Sequence, residues 1–512
     1  MNSQEIRERY RDFFVRNGHE PWPSDSLVPK NDPTLLFTSA GMVQFKPYFR
    51  GEMGDVLKRA TTCQKCFRTS DIENVGFTHR HHTFFEMLGN FSFGDYFKQE
   101  AIQWAWEFSL DELGLDPNRI WVSIFTNDDE AAELWRKEVG FPEERMVRFG
   151  VEDNWWPGPG ITGPSGPCSE LYYDMGEEYG PSTGPSDDNH RYLEYWNLVF
   201  TQFDTRPDGS QQPLARKNID TGAGLDRIAA IVQGKFSNFE NDLLFPIIQH
   251  IEERSGQSFN DDPKKDIAFR VIADHARATV FVLTDNVTPS NTGRGYVLRR
   301  IMRRAIRYGL VLGIEDNLLV PAMEVAADIA RNEYPDLLDR FEYTSKVAEA
   351  EERSFKSGRF SWGYGNIMGG LTSIEEKSYG ALAKSGTQPL QGILRNYGLP
   401  PGNGFFLQMG EPGSGFFHGD PEGINQFAAH GAHLAMFTTG CGSTTGGLIP
   451  VLKVIGNPKR MQLIRDNADF DATPIIRGEA GIQEMGEALY DELLAVASGK
   501  LTKSEIYGHY EV

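Results

Sequence analysis

The chain has little cysteine, no long apolar run and a large excess of acidic residues. Four cysteines occur in 512 residues, and only Cys63 and Cys66 lie close together, which argues against a disulfide framework and indicates a reducing compartment. No apolar run reaches the roughly 18 residues that span a bilayer, and the polar start of the sequence lacks the apolar core of a signal peptide. We therefore expect a cytoplasmic protein that does not enter a membrane.

The acidic excess gives a net charge of -21, which would repel a polyanion at long range. A nucleic-acid partner would need a local basic patch, and one is present. Six arginines share one short stretch and alternate with apolar residues at helical spacing: Arg294, Arg299, Arg300, Arg303, Arg304 and Arg307. A solvated helix face is the usual explanation for such a pattern. Because no acid is interspersed, we expect the repulsion between these arginines to be relieved by a polyanion nearby.

Length and periodicity predict a multidomain α+β protein. A typical domain of about 100 to 200 residues gives an expectation of three domains. Residues 1–240 alternate apolar and polar positions between many Gly and Pro turns, which favours an antiparallel sheet that holds ligand on one face. Residues 241–355 have helical periodicity. Residues 356–512 show the strand-helix-strand rhythm of a parallel α/β layer.

Three segments resemble the class-defining motifs of alanyl-tRNA synthetases, a class II family, in the same order along the chain. They are Phe77–Lys98, Lys217–Arg227 and Pro289–Ile301. The resemblance ends near Phe355. It implies a class II antiparallel-sheet catalytic domain at 1–240, with the first segment strand-like, and a truncated helical tRNA-recognition domain at 241–355. The family's Gly-Pro-Cys-Gly-Pro loop corresponds to Gly163–Cys168 here, with Ser165 replacing a cysteine.

The resemblance also implies a set of ligands: ATP with Mg²⁺, L-alanine and tRNA(Ala). In such enzymes an arginine at the position of Arg68 holds the α-phosphate, and one at Arg227 lies against the adenine and the outer phosphates. Phe85 would stack on the base from the other side. Asp220 would face the ammonium group of alanine. The implied catalytic residues are therefore Arg68, Arg227 and Asp220.

The resemblance implies a small pocket for alanine, formed by Trp156, Asn197, Val199, Asp220 and Gly222. Taken singly, an aromatic residue in a strand is usually part of a core and an Asp-Thr-Gly sequence is usually a turn. Three motifs in the right order make that structural interpretation remote.

For tRNA, the resemblance implies that Asn291 reaches a base pair of the acceptor stem while arginines hold phosphates. The phosphate contacts expected are Arg294, Arg299, Arg300 and Arg303. The family's editing domain and its C-terminal oligomerisation region have no counterpart in this sequence. Since a pocket of this size separates near-isosteres by only about 1 to 3 kcal/mol, we expect mischarging with serine.

A zinc site is an alternative for the histidine-rich part of the first motif. Cys63 and Cys66 are followed by His79, His81 and His82, which imitates a Cys₂His₂ pattern. The histidines are too close together for the usual spacing, so we predict no metal held by these residues.

The last part of the chain resembles the C-terminal part of altronate/galactarate dehydratases, in Gly369–Ser378, Phe437–Ser443 and Leu493–Lys503. Members of that family remove water from a sugar acid, generally with a divalent metal. Dehydration needs a base and an acid, for which Glu375, Glu376 and Lys377 are candidates. Such a run is more often a solvated helix face, and we expect no activity from this part alone.

The leading hypothesis is an ATP-dependent alanine-tRNA ligase whose chain is fused to a dehydratase-like part. Two alternatives stay open. One is a sugar-acid dehydratase with an added nucleotide-binding module. The other is a non-catalytic chimera that binds only nucleotide or tRNA, for which exposed apolar surface at both truncation points is the expected sign.

Overall fold

A computed structural model describes most of the chain. The residues it describes are 1–30, 32, 35–157, 162–186, 190–206, 208–290, 292–356, 390–394, 399–408, 420–439, 443 and 445–509. They belong to two compact units, Met1–Ser357 and Gly358–Val512. None of the helices formed by these residues combines the length and the apolar character that crossing a membrane requires.

The first unit is built on a sheet that contains nine strands among the described residues. Strands β1 to β9 are Glu20–Pro21, Arg59–Phe67, Phe84–Phe93, Ile120–Phe125, Met146–Phe149, Trp155–Trp156, Gly163–Asp174, Tyr192–Thr205 and Gln211–Gly224. Their order is β1-β2-β3-β9-β8-β7-β4-β5, and β6 pairs with β7. The neighbouring pairs β2–β3, β3–β9, β9–β8, β8–β7 and β7–β4 are antiparallel. The pairs β1–β2 and β4–β5 at the two edges are parallel. The predicted antiparallel sheet is confirmed.

Helices surround this sheet and then continue without it. Helices α1 to α11 are Ser3–Arg16, Lys46–Phe49, Lys98–Glu107, Asp129–Glu138, Leu225–Val232, Phe245–Ser255, Pro263–Thr284, Gly293–Val311, Leu319–Ala330, Asp336–Asp339 and Phe341–Lys356. From α6 to α11 the described residues contain no intervening strand.

Helix α7 is the central helix of that second group. Asp262 caps it by accepting a hydrogen bond from the Lys264 amide, and Pro263 occupies the first turn, where no amide donor is needed. Most of its length is buried, including the polar side chains of Asp274, His275 and Arg277. Because buried polar groups need partners, these three residues tie α7 to the β3 side of the sheet and to α8.

One face of the sheet packs against helix α1, and the other face points away from it. Successive residues of a strand point to opposite faces. Trp196 and Ala223 pair across β8 and β9 and are fully buried, and Tyr10 of α1 lies with its ring centroid 5.6 Å from that of Trp196. The neighbouring pair Asn197 and Gly222 therefore points to the other face.

Two local expectations from the motifs were wrong. Within the segment Phe77–Lys98 only Phe84–Phe93 is a strand, and Lys98 already begins α3. The expected loop at Gly163–Cys168 is the first half of β7. It runs so close to β8 that a Cβ at Gly166 would collide with the Phe200 carbonyl group, so glycine here permits strand pairing rather than a turn.

The second unit, within its described residues, contains parallel strand pairs. Strands β10 to β14 are Leu390–Leu394, Phe405–Gln408, Ala435–Thr439, Val451–Ile455 and Phe470–Asp471. Helices α12 to α16 are Asp420–Ala429, Pro458–Ile464, Thr473–Ile476, Ile482–Ala497 and Lys503–Tyr507. The pairs β10–β11, β12–β13 and β13–β14 are parallel, in agreement with the predicted rhythm. The residues Glu375, Glu376 and Lys377 lie outside the described residues.

Candidate active site

A cavity of about 350 Å³ lies on the open face of the sheet, over β3, β9, β8 and β7. Asn197 pairs with Gly222 across β8 and β9, and Val199 pairs with Asp220. Because side chains two residues apart share a face, these four positions form one contiguous patch. The patch is the floor of the cavity.

All the residues that the resemblance assigned to ATP or alanine line this one cavity. They are Arg68, Phe85, Trp156, Asn197, Val199, Asp220, Gly222 and Arg227.

Asp220 is the buried carboxyl group of the floor. It is 6% exposed, and burial raises its pKa to about 7. In the described part of the chain no hydrogen bond or ion pair reaches its side chain. Since a buried carboxylate without a partner is costly, the site is arranged for a cation that comes from a ligand.

Two further polar atoms beside Asp220 are buried without a hydrogen-bond partner: Asn197 Oδ1 and Trp156 Nε1. The first is an acceptor and the second is a donor. Buried polar atoms of this kind are uncommon in folded proteins. Together with Asp220 they offer two acceptors and one donor to whatever occupies the cavity.

Gly222 leaves room in the floor. A Cβ at this position would lie 2.6 Å from Met87 Sδ, which is closer than van der Waals contact allows. Val199 closes the same part of the floor and is buried. Glycine at position 222 therefore lets the Met87 side chain pack against the floor, and Met87 and Val199 both line the cavity beside it.

Arg68 forms the charged wall of the cavity between two aromatic rings. Its guanidinium carbon lies 5.0 Å from the ring centroid of Phe85 and 5.9 Å from that of Trp156. Its Nε donates to the Ser39 carbonyl at 3.2 Å. Stacking and this hydrogen bond fix the plane of the guanidinium, so its remaining donors are held in place.

Arg227 is the second arginine of the cavity, and it is held by Glu194. Arg227 Nη1 donates to Glu194 Oε2 at 2.7 Å and to the Glu194 carbonyl at 2.8 Å. Burial lowers the pKa of Arg227, but the charge and hydrogen bond of Glu194 outweigh it and raise the pKa overall. Arg227 is therefore a permanent cation that Glu194 keeps in position.

Comparison with known families decides what kind of protein carries this site. Residues 5–359 match the family model described as tRNA synthetases class II (A). The chain belongs to the class II tRNA synthetases. Residues 323–512 match a second family model, described as D-galactarate/Altronate dehydratase, C-terminal. Both resemblances drawn from the motifs are confirmed, although the second match begins at residue 323 rather than near 360.

Curated relatives of this class II synthetase carry a more specific name. The alanine–tRNA ligase of Fusobacterium nucleatum is 50% identical over 361 residues, which cover 70% of this chain and 41% of the relative. That of Thermus thermophilus is 51% identical over 373 residues, covering 69% and 42%. The chain thus spans about two fifths of the length of these relatives. Superposition on the apo histidyl-tRNA synthetase of S. aureus gives a TM-score of 0.30 at 10% identity, over 45% of this chain and 66% of that chain, a likeness too weak to build on.

Two acidic residues of the synthetase cavity, Glu170 and Glu194, were missed from the sequence. Glu170 is buried and lies opposite Asn197 in the register of β7 and β8. Burial and the charge of Glu194 raise the pKa of Glu170. An acidic residue in the middle of an apolar strand was the available signal, because carboxyl groups are seldom buried without a function or a partner.

The zinc alternative fails on strand geometry. Cys63 and Cys66 lie three residues apart on β2 and so point to opposite faces of the sheet. Cys63 Sγ donates to Glu86 Oε1 at 3.4 Å, and the ring of His79 packs against Phe236 at 4.8 Å. Burial raises the pKa of Cys66 to about 12, which makes it an inert thiol.

The expectation of uncompensated arginines on α8 is wrong for Arg299, Arg300 and Arg303, because acids from elsewhere in the synthetase pair with them. Arg299 Nε and Arg303 Nη1 donate to Glu351 Oε1 at 3.1 and 2.6 Å, and Arg303 is only 6% exposed. Arg300 pairs with Glu73 but stays 40% exposed. Arg299 and Arg303 thus act within the fold, contrary to their predicted phosphate contacts.

Arg304 and Arg294 of α8 bond to acceptors other than carboxylates. Arg304 Nη1 contacts His275 Nε2 at 2.9 Å, and Arg304 Nη2 donates to the Val75 carbonyl at 3.1 Å. Arg294 Nη2 donates to the Leu35 carbonyl at 3.1 Å. Asn291, the predicted base-contacting residue, lies outside the described residues.

Proposed function

We propose that this class II synthetase joins L-alanine to ATP to form alanyl-adenylate and then transfers the alanine to tRNA(Ala). The observation that carries the proposal is the set of partnerless buried groups among the residues that line the cavity: Asp220 and Asn197 Oδ1 on the floor, and Trp156 Nε1 beside Arg68. An α-amino acid supplies an ammonium group for the two acceptors and a carboxylate oxygen for the donor. It satisfies all three at once.

The size of the floor selects alanine within that class. Met87 lies directly over Gly222 and Val199 lies beside it, and in this proposal they confine the ligand side chain to a methyl group. The names of the relatives at 50 to 51% identity support the same substrate.

The chemistry of activation follows from the positions of the two arginines. A carboxylate oxygen of alanine attacks the α-phosphorus of ATP, the bond from that phosphorus to the bridging oxygen breaks, and pyrophosphate leaves. Negative charge grows on the α-phosphate oxygens, and Arg68 faces them with a guanidinium that is already oriented. Arg227 holds the outer phosphates, and Phe85 stacks on the adenine.

Magnesium is proposed to arrive with ATP. Mg²⁺ is usually bound by substrate phosphates with only one or two carboxylates, and when bound it neutralises phosphate charge. In the described part of the chain no three His, Cys, Asp or Glu residues are grouped so that they could hold an ion. Asp71, Glu152, Asp153 and Glu194 line the cavity and are among the carboxylates available to the ion. This donor set fits an ion that the nucleotide brings.

The tRNA contacts are proposed from the exposed part of α8. Arg300, whose pair with Glu73 is exposed, and Arg294 are placed to exchange their present partners for phosphate oxygens. Asn291 precedes the helix and stays the proposed base contact. A protein with this activity acts in the cytoplasm, where tRNA is charged.

The proposal is tested by alanine-dependent exchange of pyrophosphate into ATP. We expect exchange with the intact chain and at least about a 100-fold loss in Asp220→Asn and Arg68→Ala. Asp208→Asn is the matched control, because Asp208 is exposed in a turn with Ser210. Absence of exchange in a folded sample, or equal exchange in all variants, would refute the proposal. Charging of tRNA(Ala) by the active protein then tests the second step.

The match of residues 323–512 favours a second candidate, dehydration of a sugar acid. Several large apolar side chains of the second unit are exposed, among them Leu463, Ile476 and Ile482, but they lie far along the chain from the truncation point near residue 360. Altronate and galactarate, offered with added iron, test the candidate directly. Formation of a 2-keto-3-deoxy acid would establish it, and no product with either substrate would exclude it for these acids.

A further inference from the structure

The side-chain amide of Asn197 is bound on one side and open on the other. Its Nδ2 donates to Glu170 Oε1 at 2.8 Å, whereas its Oδ1 is buried without a partner. Glu170, Asn197 and Gly222 lie in one row across β7, β8 and β9. Asn197 lines the cavity, and its Oδ1 is on the side of the amide away from Glu170.

Glu170 itself is fixed from behind. Its Oε2 accepts hydrogen bonds from Tyr172 Oη at 2.6 Å and from Ser123 Oγ at 3.3 Å. Ser123 in turn accepts from Asn154 Nδ2 at 2.8 Å. Among the described residues, the side chains that hydrogen-bond to the Glu170 carboxyl all donate to it. Burial and the charge of Glu194 raise its pKa to about 8, so above that pH it is a carboxylate that only accepts.

An acceptor-only partner decides which way an asparagine amide points. The oxygen and nitrogen of the amide occupy nearly the same volume, and hydrogen bonding alone distinguishes them. An ionised Glu170 can bind Asn197 only through the NH₂ group, which leaves Oδ1 toward the cavity. An amide in the reverse orientation would place a donor beside an ammonium group.

We propose that Glu170 is a positioning residue that holds Asn197 Oδ1 toward the substrate ammonium group and so sets the affinity for alanine. The inference rests on the proposed function, since alanine is the ligand that supplies the ammonium. It assigns Glu170 no part in the bond-making step.

The test is Glu170→Gln, measured by alanine-dependent pyrophosphate exchange at about pH 9, where the wild-type carboxyl group is ionised. Glutamine has both a donor and an acceptor, so it no longer dictates the orientation of Asn197. We expect the KM for alanine to rise at least about tenfold, with kcat changed less than about threefold and the KM for ATP unchanged.

A double variant separates orientation from mere loss of structure. In Glu170→Gln with Asn197→Asp, the glutamine NH₂ donates to one aspartate oxygen and the other oxygen faces the ligand. We expect alanine KM in this double variant to return to within about threefold of wild type. Asn197→Asp alone places two carboxylates in contact, and we expect it to be impaired.

Glu177→Gln is the matched control, because it makes the same change on an exposed side chain. We expect its alanine KM within about twofold of wild type.

The outcomes distinguish this inference from the proposed function. If wild type shows exchange but Glu170→Gln leaves the alanine KM unchanged, or if the double variant is worse than both single variants, the inference fails while the function stands. If wild type neither exchanges pyrophosphate nor binds alanine by calorimetry, the function fails and the inference fails with it.

Discussion

Asp220 lies opposite Val199 in the register of β9 and β8, so a buried carboxyl group and an apolar side chain share one small floor. Burial alone raises the pKa of Asp220 to about 7. Among the described residues, no basic side chain pairs with this carboxyl. In the proposed function, the ammonium group of alanine supplies the missing cation. The free protein therefore bears a cost that ligand binding relieves.

The first prediction concerns stability. The folded protein binds the Asp220 proton more tightly than the unfolded chain, whose carboxyl has a pKa near 3.8. Between pH 3.8 and about 7 the contribution of Asp220 to the free energy of unfolding therefore falls as pH rises. Asp220→Asn lacks this loss, so we expect its stability advantage to grow across that window to at most about 4 kcal/mol.

Chemical denaturation of both proteins from about pH 4 to pH 8, without alanine, measures that difference. The comparison cancels groups that titrate in both proteins. An advantage that does not change with pH would show that Asp220 is not strained by its burial.

The second prediction concerns Gly222. In Gly222→Ala the new Cβ pushes Met87 Sδ, which lies 2.6 Å from its position, and the flexible methionine shifts within the cavity. We expect the free energy of unfolding to change by less than about 1 kcal/mol, while the KM for alanine rises about tenfold. Adding Met87→Ala should recover part of the affinity. An unchanged alanine KM in Gly222→Ala would place the substrate elsewhere.

The third prediction concerns Arg68. Lysine keeps the charge but has neither the flat surface that packs between Phe85 and Trp156 nor the fixed fork of donors. We expect Arg68→Lys to lower kcat for pyrophosphate exchange about 100-fold, with alanine binding by calorimetry unchanged. A lysine variant within threefold of wild type would mean that charge alone suffices.

The residues of the cavity floor could be predicted from the sequence, but the residues that hydrogen-bond to predicted site residues from elsewhere in the chain could not. The resemblance to the synthetase motifs assigned Asp220, Gly222 and Asn197 to one pocket, and all three line the cavity. Alternation does not reveal which distant residue meets a side chain. Glu170 is 27 residues from Asn197, and Glu351 is 52 residues from Arg299. The arginine-rich helix was misjudged for that reason, since the acids that neutralise it are invisible in its own segment.

The fourth prediction separates two arginines of that helix. Arg303 is buried against Glu351 and lies with its guanidinium carbon 4.9 Å from the Phe355 ring centroid. We expect Arg303→Ala to lower the free energy of unfolding by about 2 to 4 kcal/mol. Arg300→Ala removes the same charge from an exposed pair and should cost less than about 1 kcal/mol.

Binding of tRNA should rank the two variants the other way. We expect Arg300→Ala to weaken tRNA binding about fivefold and to reduce its salt dependence. Arg303→Ala should bind tRNA as wild type does at temperatures where it is folded. Filter binding at several salt concentrations decides this. The reverse ranking would restore Arg303 as a phosphate contact.

The last prediction concerns Arg277, which joins the helical part of the first unit to the sheet. Its Nη1 donates to Asp226 Oδ1 at 2.7 Å, and its Nη2 donates to the Phe84 carbonyl at 2.9 Å. The side chains of Arg277 and Asp226 are 5% and 2% exposed. Phe84 and Asp226 directly precede the cavity residues Phe85 and Arg227, so α7 holds the backbone from which both project.

Arg277→Met keeps most of the side-chain volume but leaves Asp226 as a buried, uncompensated charge. We expect a loss of about 3 to 5 kcal/mol. Adding Asp226→Asn removes that charge and should recover more than half of the loss, while pyrophosphate exchange stays low because the hydrogen bond to Phe84 is still absent. Denaturation and exchange, measured on the single and double variants, test both statements. Recovery of stability together with full exchange would mean that Arg277 stabilises the fold without positioning the site.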